Sequence, residues 1–223
     1  TLSTPWDISS GVSFGTTFNV GDQTSNAVGL QFSADGTKMY SSGYSSDYVT
    51  EWDLAKAFDL ANVTSTIGPE FNNLEGLTID SSDNIVVVDK GDAEIVKLSQ
   101  TGTVLLNVTG FTAPRDVAID TSGNIYATEA NSGNVTKLDS SGTQVWSIGG
   151  NGTGDGKFDE PSGIDVDASG NVYIADSGND RLQKIDSDGE FLDKFDASDG
   201  DGLSSPTGLA IKDDGTIIVA ESG

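Results

Sequence analysis

The chain has 223 residues, with 35 acidic against 11 basic side chains, a formal net charge of −24, and neither cysteine nor histidine. Such a surface repels phosphate backbones and anionic membrane faces, so neither nucleic acid nor membrane insertion is expected. The missing cysteine excludes disulfides and thiol chemistry, the missing histidine excludes Ser-His-Asp machinery and histidine zinc sites, and no apolar run approaches the roughly 18 residues of a spanning helix.

Hydrophobic residues make up 35% of the chain, enough for a packed core, and 28 glycines favour many short strands joined by tight turns. The self-repulsion of an acidic surface is screened at high salt, where the Debye length falls to roughly 3 Å at 1 M. A saline or cation-rich setting is therefore expected, outside the cell or at its surface. The chain starts at Thr1 with no methionine or signal-like segment, which suggests processing, trimming or a piece of something longer.

In chain order, Leu2-Ser3-Thr4-Pro5-Trp6-Asp7-Ile8 comes first and aligns with Leu54-Ala55-Lys56-Ala57-Phe58-Asp59-Leu60. The second of these reads as a join between strands rather than a helix. Val28-Gly29-Leu30-Gln31-Phe32-Ser33 is a loose first copy of a segment that then recurs. The clearer copies are Leu74-Glu75-Gly76-Leu77-Thr78-Ile79-Asp80, Pro114-Arg115-Asp116-Val117-Ala118-Ile119-Asp120, Pro161-Ser162-Gly163-Ile164-Asp165-Val166-Asp167 and Pro206-Thr207-Gly208-Leu209-Ala210-Ile211-Lys212. Anchor positions 29, 76, 116, 163 and 208 stand 47, 40, 47 and 45 residues apart. A fixed period of this size marks a repeat architecture.

Each copy continues alike. A turn such as Asp120-Thr121-Ser122-Gly123-Asn124 leads to a β-rich strand at Met39-Tyr40, Ile85–Val88, Ile125–Thr128, Val172–Ala175 or Ile217–Ala220. An acidic turn leads to a third strand, as in Arg181–Ile185, and a Gly hairpin to a fourth, as in Phe191–Phe195. Runs such as Ile85-Val86-Val87-Val88 suit a strand covered on both faces. Four antiparallel strands per repeat describe a β-propeller blade. The expected fold is all-β: one propeller domain with repeats near 26–67, 73–110, 113–150, 160–200, and 206–223 closing with 1–21. That makes four complete blades and one split blade, or six blades in a longer chain. The split blade lacks one strand. Either the sequence is a window on a longer propeller or another chain supplies the strand, a possible route to self-assembly into a filament or virion.

Gly149–Phe158, Pro161–Asp167, Gly170–Asp176 and Asn179-Asp180-Arg181-Leu182 closely resemble the NHL repeat, a likeness specific over about 113–221 and recognisable from about 73. Residues 1–67 look more like a related bacterial and archaeal surface-protein repeat. Both resemblances imply propellers. Some NHL-like propellers are lyases that use histidine, which this chain does not contain. Gluconolactonase-type propellers place Glu, Asn and Asp around a divalent ion at the channel mouth. By that resemblance Glu75, with Arg115, Ser162 and Thr207 at the matching positions, would mark the mouth. An arginine there would repel the ion, so hydrolase chemistry is the alternative rather than the leading expectation.

Asp89, Glu129, Asp176 and Glu221 recur at the end of the second strand, as structural acids would. Asp196, Asp199 and Asp201 share a Gly-bearing loop and offer hard oxygens to calcium, though without the distal bidentate Glu of an EF-hand. Sequons at Asn62, Asn107, Asn134 and Asn151 would carry glycans in a glycosylating host, Asn151 first because of its Gly-rich loop. The leading expectation is a non-enzymatic surface module that presents loops to a protein or glycan and needs no cofactor.

Overall fold

A computed structural model describes residues 27–32, 38–43, 46–53, 63–196, 202–212 and 214–222, with few side chains before residue 68. Leu54–Leu60 and residues 1–21 lie outside the described residues. Blade 1 comprises β1 (Ala27–Phe32), β2 (Lys38–Gly43), β3 (Ser46–Asp53) and β4 (Val63–Ile67). Blade 2 comprises β5 (Leu74–Ile79), β6 (Ile85–Asp89), β7 (Glu94–Leu98) and β8 (Val104–Thr109). Blade 3 comprises β9 (Pro114–Ile119), β10 (Ile125–Glu129), β11 (Asn134–Leu138) and β12 (Gln144–Gly149). Blade 4 comprises β13 (Pro161–Val166), β14 (Val172–Asp176), β15 (Arg181–Ile185) and β16 (Phe191–Phe195). Blade 5 has β17 (Pro206–Ile211) and β18 (Ile217–Glu221) among the described residues. Each sheet follows chain order, and the first strands β1, β5, β9, β13 and β17 pack side by side.

The hairpin between first and second strands is fixed by its aspartate. The Asp120 carboxylate accepts the backbone N–H groups of Ser122 and Asn124, both at 2.9 Å, and the Asn124 amide at 2.7 Å. Asp80 and Asp167 repeat the arrangement. In blade 2 the Lys97 ammonium also reaches Asp80 at 2.8 Å. Burial pushes the Asp80 carboxyl up, but Lys97, Asn84 and the turn amides outweigh it and bring it down to about 2.

The second strands explain the continuous apolar runs. Val86 and Val88 face blade 3, where they meet Val117, Ile125 and Ala127, while Ile85 and Val87 face blade 1 and meet Tyr40 and Val49. Tyr126 and Val135 of blade 3 pack likewise on Ile164, Val172 and Ile174 of blade 4. Successive side chains thus serve opposite neighbours, and β6 and β10 are buried at every residue. Each Val or Ile so buried contributes about 1.5–3 kcal/mol.

The first strands approach too closely for side chains at one step. A Cβ at Gly163 would lie 2.8 Å from the Gly208 Cα, and one at Gly76 would lie 2.6 Å from the Asp116 Cα. Gly163→Ala is therefore expected to cost about 1–3 kcal/mol through overpacking against a backbone that cannot rotate away. Thermal unfolding checks this: an unchanged midpoint would mean that β13 and β17 are not in contact.

Candidate functional site

The recurring acids at the ends of the second strands act as clamps. Asp89 accepts the Asn72 N–H at 2.7 Å, Glu129 that of Thr112 at 2.8 Å, Asp176 that of Asp159 at 2.7 Å, and Glu221 that of Ser204 at 2.5 Å. Each donor lies two residues before the first strand of the same blade. The intervening residues Asn73, Ala113, Glu160 and Ser205 all hold a left-handed backbone, with φ between 45° and 71°. That conformation is unfavourable for side-chain-bearing residues, and the adjacent clamp fixes the chain where it turns into the blade. The sequence reading of these acids as structural agrees with this geometry; the partner is the entry loop rather than only the local turn.

In blade 4 the clamp becomes a hub. The Arg181 guanidinium donates to Asp176 at 2.7 Å and to the carbonyls of Thr153, Gly154 and Lys157 at 2.8–2.9 Å. Gln183 donates to Asp176 at 3.0 Å and to the Lys157 carbonyl at 2.6 Å. Asp176 and Arg181 are both buried. The glycine-rich segment is thus folded around one guanidinium. A cleft of about 450 Å³ beside it is lined by Thr153, Asn179, Asp180, Arg181, Lys194 and Asp196. Its Lys194 lies 3.3 Å from Asp155 and 3.4 Å from Asp196. Asp199 and Asp201 lie outside the described residues.

Blade 2 reverses the charge. Glu94 pairs with Asp89 at the register where Arg181 pairs with Asp176. Oxygens of Asp89, Asp92 and Glu94 lie within 4.8 Å of one another. Burial raises the Asp89 carboxyl despite the Asn72 and Asp92 amides, and the Asp92 and Glu94 charges add to the rise. Three carboxylates can approach a hard cation but fall short of the six to eight oxygens calcium takes. Sequence reasoning missed this group; the signal was the acid at position 94, where blade 4 carries arginine.

The four expected mouth positions sit one per blade on the first strands, and Glu75, Ser162 and Thr207 hydrogen-bond within the fold. Glu75 accepts from Lys90 Nζ at 2.6 Å. Arg115 lies 3.9 Å from Glu160. Ser162 and Ser177 share a 2.6 Å hydrogen bond, both within reach of the Pro206 carbonyl. Thr207 donates to the Ala220 carbonyl at 3.3 Å. The group the sequence did not single out is Asp116, which replaces the glycine of the other copies. It accepts the Val117 N–H at 2.9 Å and, across the blade boundary, that of Ile164 at 3.1 Å. Asp165 reaches Ile211 of blade 5 at 2.8 Å in the same manner. Burial pushes the Asp116 carboxyl up to about 7 against the pull of those two amides, helped by the charges of Asp165 and Glu75.

Of the sequons, Asn107 is exposed on β8, Asn134 is half-buried on β11, and Asn62 lies outside the described residues. Asn151 is exposed, with its amide donating to the Asn131 carbonyl at 3.3 Å.

Residues 158–185 match the NHL repeat. The chain is a β-propeller with one NHL-repeat match, in blade 4. No curated protein matches it. Among solved structures it is similar to a streptogramin B lyase at 18% identity and a TM-score of 0.72, over 92% of this chain and 65% of that one. It therefore spans slightly less than two thirds of that protein's length. A catalytically inactive histidine-to-alanine form of virginiamycin B lyase from Staphylococcus aureus, crystallised with quinupristin, aligns at 11% identity and a TM-score of 0.64, over 90% of this chain and 71% of that one. A Bacteroides thetaiotaomicron protein of unknown function aligns at 19% identity and a TM-score of 0.68, over 86% of this chain and 56% of that one. At these identities the likeness establishes the propeller fold.

Two predictions follow from the paired and unpaired acids. Arg181→Ala leaves a buried carboxylate and three loop carbonyls without their donor and is expected to cost about 3–5 kcal/mol in denaturant unfolding; a loss under 1 kcal/mol would remove the hub from the account. Asp116 binds its proton more tightly folded than unfolded, with about 7 against 3.8. The stability it contributes is thus full below about pH 4 and lost as pH rises through 7. The advantage of wild type over Asp116→Asn should shrink between about pH 4 and pH 8; an advantage that grows over this range would contradict desolvation of this half-buried carboxyl at the blade junction.

Proposed function

We propose that this chain is a non-enzymatic binding module of the cell exterior that presents propeller loops to a protein or glycan partner. The observation that carries this reading is that Glu75, Ser162 and Thr207, at the positions expected to mark the mouth, hydrogen-bond within the fold itself. Glu75, where a gluconolactonase-like propeller would place a metal ligand, sits 2.6 Å from the Lys90 ammonium. Lys90 therefore competes with any cation for that carboxylate, and Arg115 on the next blade adds a second positive charge nearby.

The lyase neighbours supply no mechanism that these 223 residues carry by themselves. The inactive form of one of them is a histidine-to-alanine variant, and this chain has no histidine to take such a role. What the scaffold offers instead is a rigid set of loops, the arrangement in which propeller-type folds carry recognition on their connections. The acidic surface supports an extracellular, saline or cation-rich setting, where salt screens its self-repulsion. Exposed Asn107 and Asn151, and half-buried Asn134, are glycosylation sites on this reading.

The purified protein is expected to leave lactones and esters unhydrolysed in calcium, magnesium or manganese, and to bind a glycan or surface-protein array saturably, with Glu75→Ala binding as well as wild type. Metal-dependent turnover abolished by Glu75→Ala would replace this reading with the hydrolase one.

A further inference from the structure

The connections that flank blade 4 are the longest between the described blades. Residues 150–160 run from β12 to β13, and Asp196 opens the connection that follows β16. The cleft of about 450 Å³ beside Arg181 takes Thr153 from the first connection and Asp196 from the second. That volume falls within the roughly 300–1,000 Å³ of small-molecule sites, and loops on a rigid frame are where recognition concentrates. The two cations at the cleft have no counterpart in blades 2 and 3. Arg181 stands at the register of Glu94 and Asn134, and Lys194 at that of Asn107 and Ser147.

The fold fixes the polar groups of this cleft from behind. The Asn179 amide donates to the Gly152 carbonyl at 2.9 Å and to Asp176 at 3.0 Å. Asp180 holds a left-handed backbone, φ 52°, and one of its oxygens accepts the Ser205 N–H at 2.7 Å. The Thr153 hydroxyl makes no hydrogen bond among the described residues, nor does the second Asp180 oxygen. Lys194 lies 3.3 Å from Asp155 and 3.4 Å from Asp196, long beside the about 2.7–2.9 Å of a close charge-assisted bond. An ammonium carries three donors, so two loose contacts leave it able to donate to a ligand. Groups held in this way lose little freedom on binding.

Charge of both signs at one cleft selects the ligand. A phosphate or carboxylate would be set against Asp180 and Asp196, and an ammonium or guanidinium against Lys194. A hydroxyl instead donates to a carboxylate and accepts from an ammonium at the same time. We infer that the blade 4 cleft binds a neutral saccharide, its hydroxyls shared between Lys194, Asp180 and the Asn179 carbonyl. This site rests on the exterior binding module proposed above and gives it a glycan ligand. No aromatic side chain is among the lining residues, so affinity rests on hydrogen bonds and single sugars bind weakly.

The test is an NMR titration of the isotope-labelled protein with glucose, galactose, mannose and N-acetylglucosamine. Saturable amide shifts are expected at Thr153, Asn179, Asp180 and Lys194 with at least one sugar. Lys194→Met is expected to weaken that binding at least about tenfold, the loss of one charged hydrogen bond. Its thermal midpoint stays unchanged, because exposed ion pairs contribute little. Asp180→Asn, which keeps the Ser205 bond and tolerates the left-handed backbone, is expected to weaken binding as well. No saturable shift at these residues, equal shifts with inorganic phosphate, or wild-type affinity in both variants would overturn the site. Saturable binding to a glycan array that Lys194→Met leaves intact overturns the cleft alone and leaves the binding module standing. An array without binding, together with a silent cleft, overturns both.

Discussion

The backbone of each first strand has to lie against the backbone of the next. Everything at the centre of this propeller follows from that contact. Side chains are excluded at one step of the strand, so glycine stands at 76 and 163. Where the chain departs from glycine, at Asp116, the side chain has to find a use in the same narrow space. It accepts an amide from the neighbouring blade. Asp165, two residues past its own close-approach glycine, makes the equivalent bond one junction later. The inner ring is thus held by backbone proximity and by carboxylates that satisfy amides the proximity would otherwise strand.

The same economy governs the outer parts of each blade. Acids at the ends of the second strands hold the entry loops, and acids at the first hairpins hold the turns. Much of the negative charge is therefore structural in its local role. A carboxylate accepting two or three N–H groups is stabilised without any cation, which is how the fold places so many acids with so few bases. Three cations pair with acids at short range: Lys97 with Asp80, Lys90 with Glu75, and Arg181 with Asp176.

The repeat was legible in the sequence because its signals are local. Asp-x-x-Gly-Asn turns, a Pro or Leu opening the first strand, and runs of β-branched residues each act within a few positions, and together they point to four-stranded antiparallel blades. The Arg181 hub was not legible, because its acceptors lie 24 to 28 residues upstream in the glycine-rich segment. Asp116 was visible as an odd letter in the alignment, but its partner is 48 residues away, in the next blade. Glu75, Arg115, Ser162 and Thr207 share the second step of the first strands. What sequence could not supply was Lys90, from the turn after β6, folding back onto Glu75.

A repeat protein is its own control. A residue type that recurs at the same step of successive blades answers a demand of the architecture, and the clamp acids of blades 2 to 5 are of this kind. A residue found once answers something else. By that criterion the blade 2 group of Asp89, Asp92 and Glu94 and the blade 4 hub at Arg181 are alternatives at one site: the same clamp, with a charge of opposite sign set beside it. In blade 4 the added charge organises a long loop through three carbonyls. In blade 2 the preceding loop is short, leaves no such carbonyls to gather, and the added charge repels the clamp. The asymmetry makes blades 2 and 4 electrostatically distinct on a scaffold whose backbone is nearly the same in both. Distinct loops on equivalent frames are what a binding surface built from repeats requires, because a partner can then be read by which blade it meets.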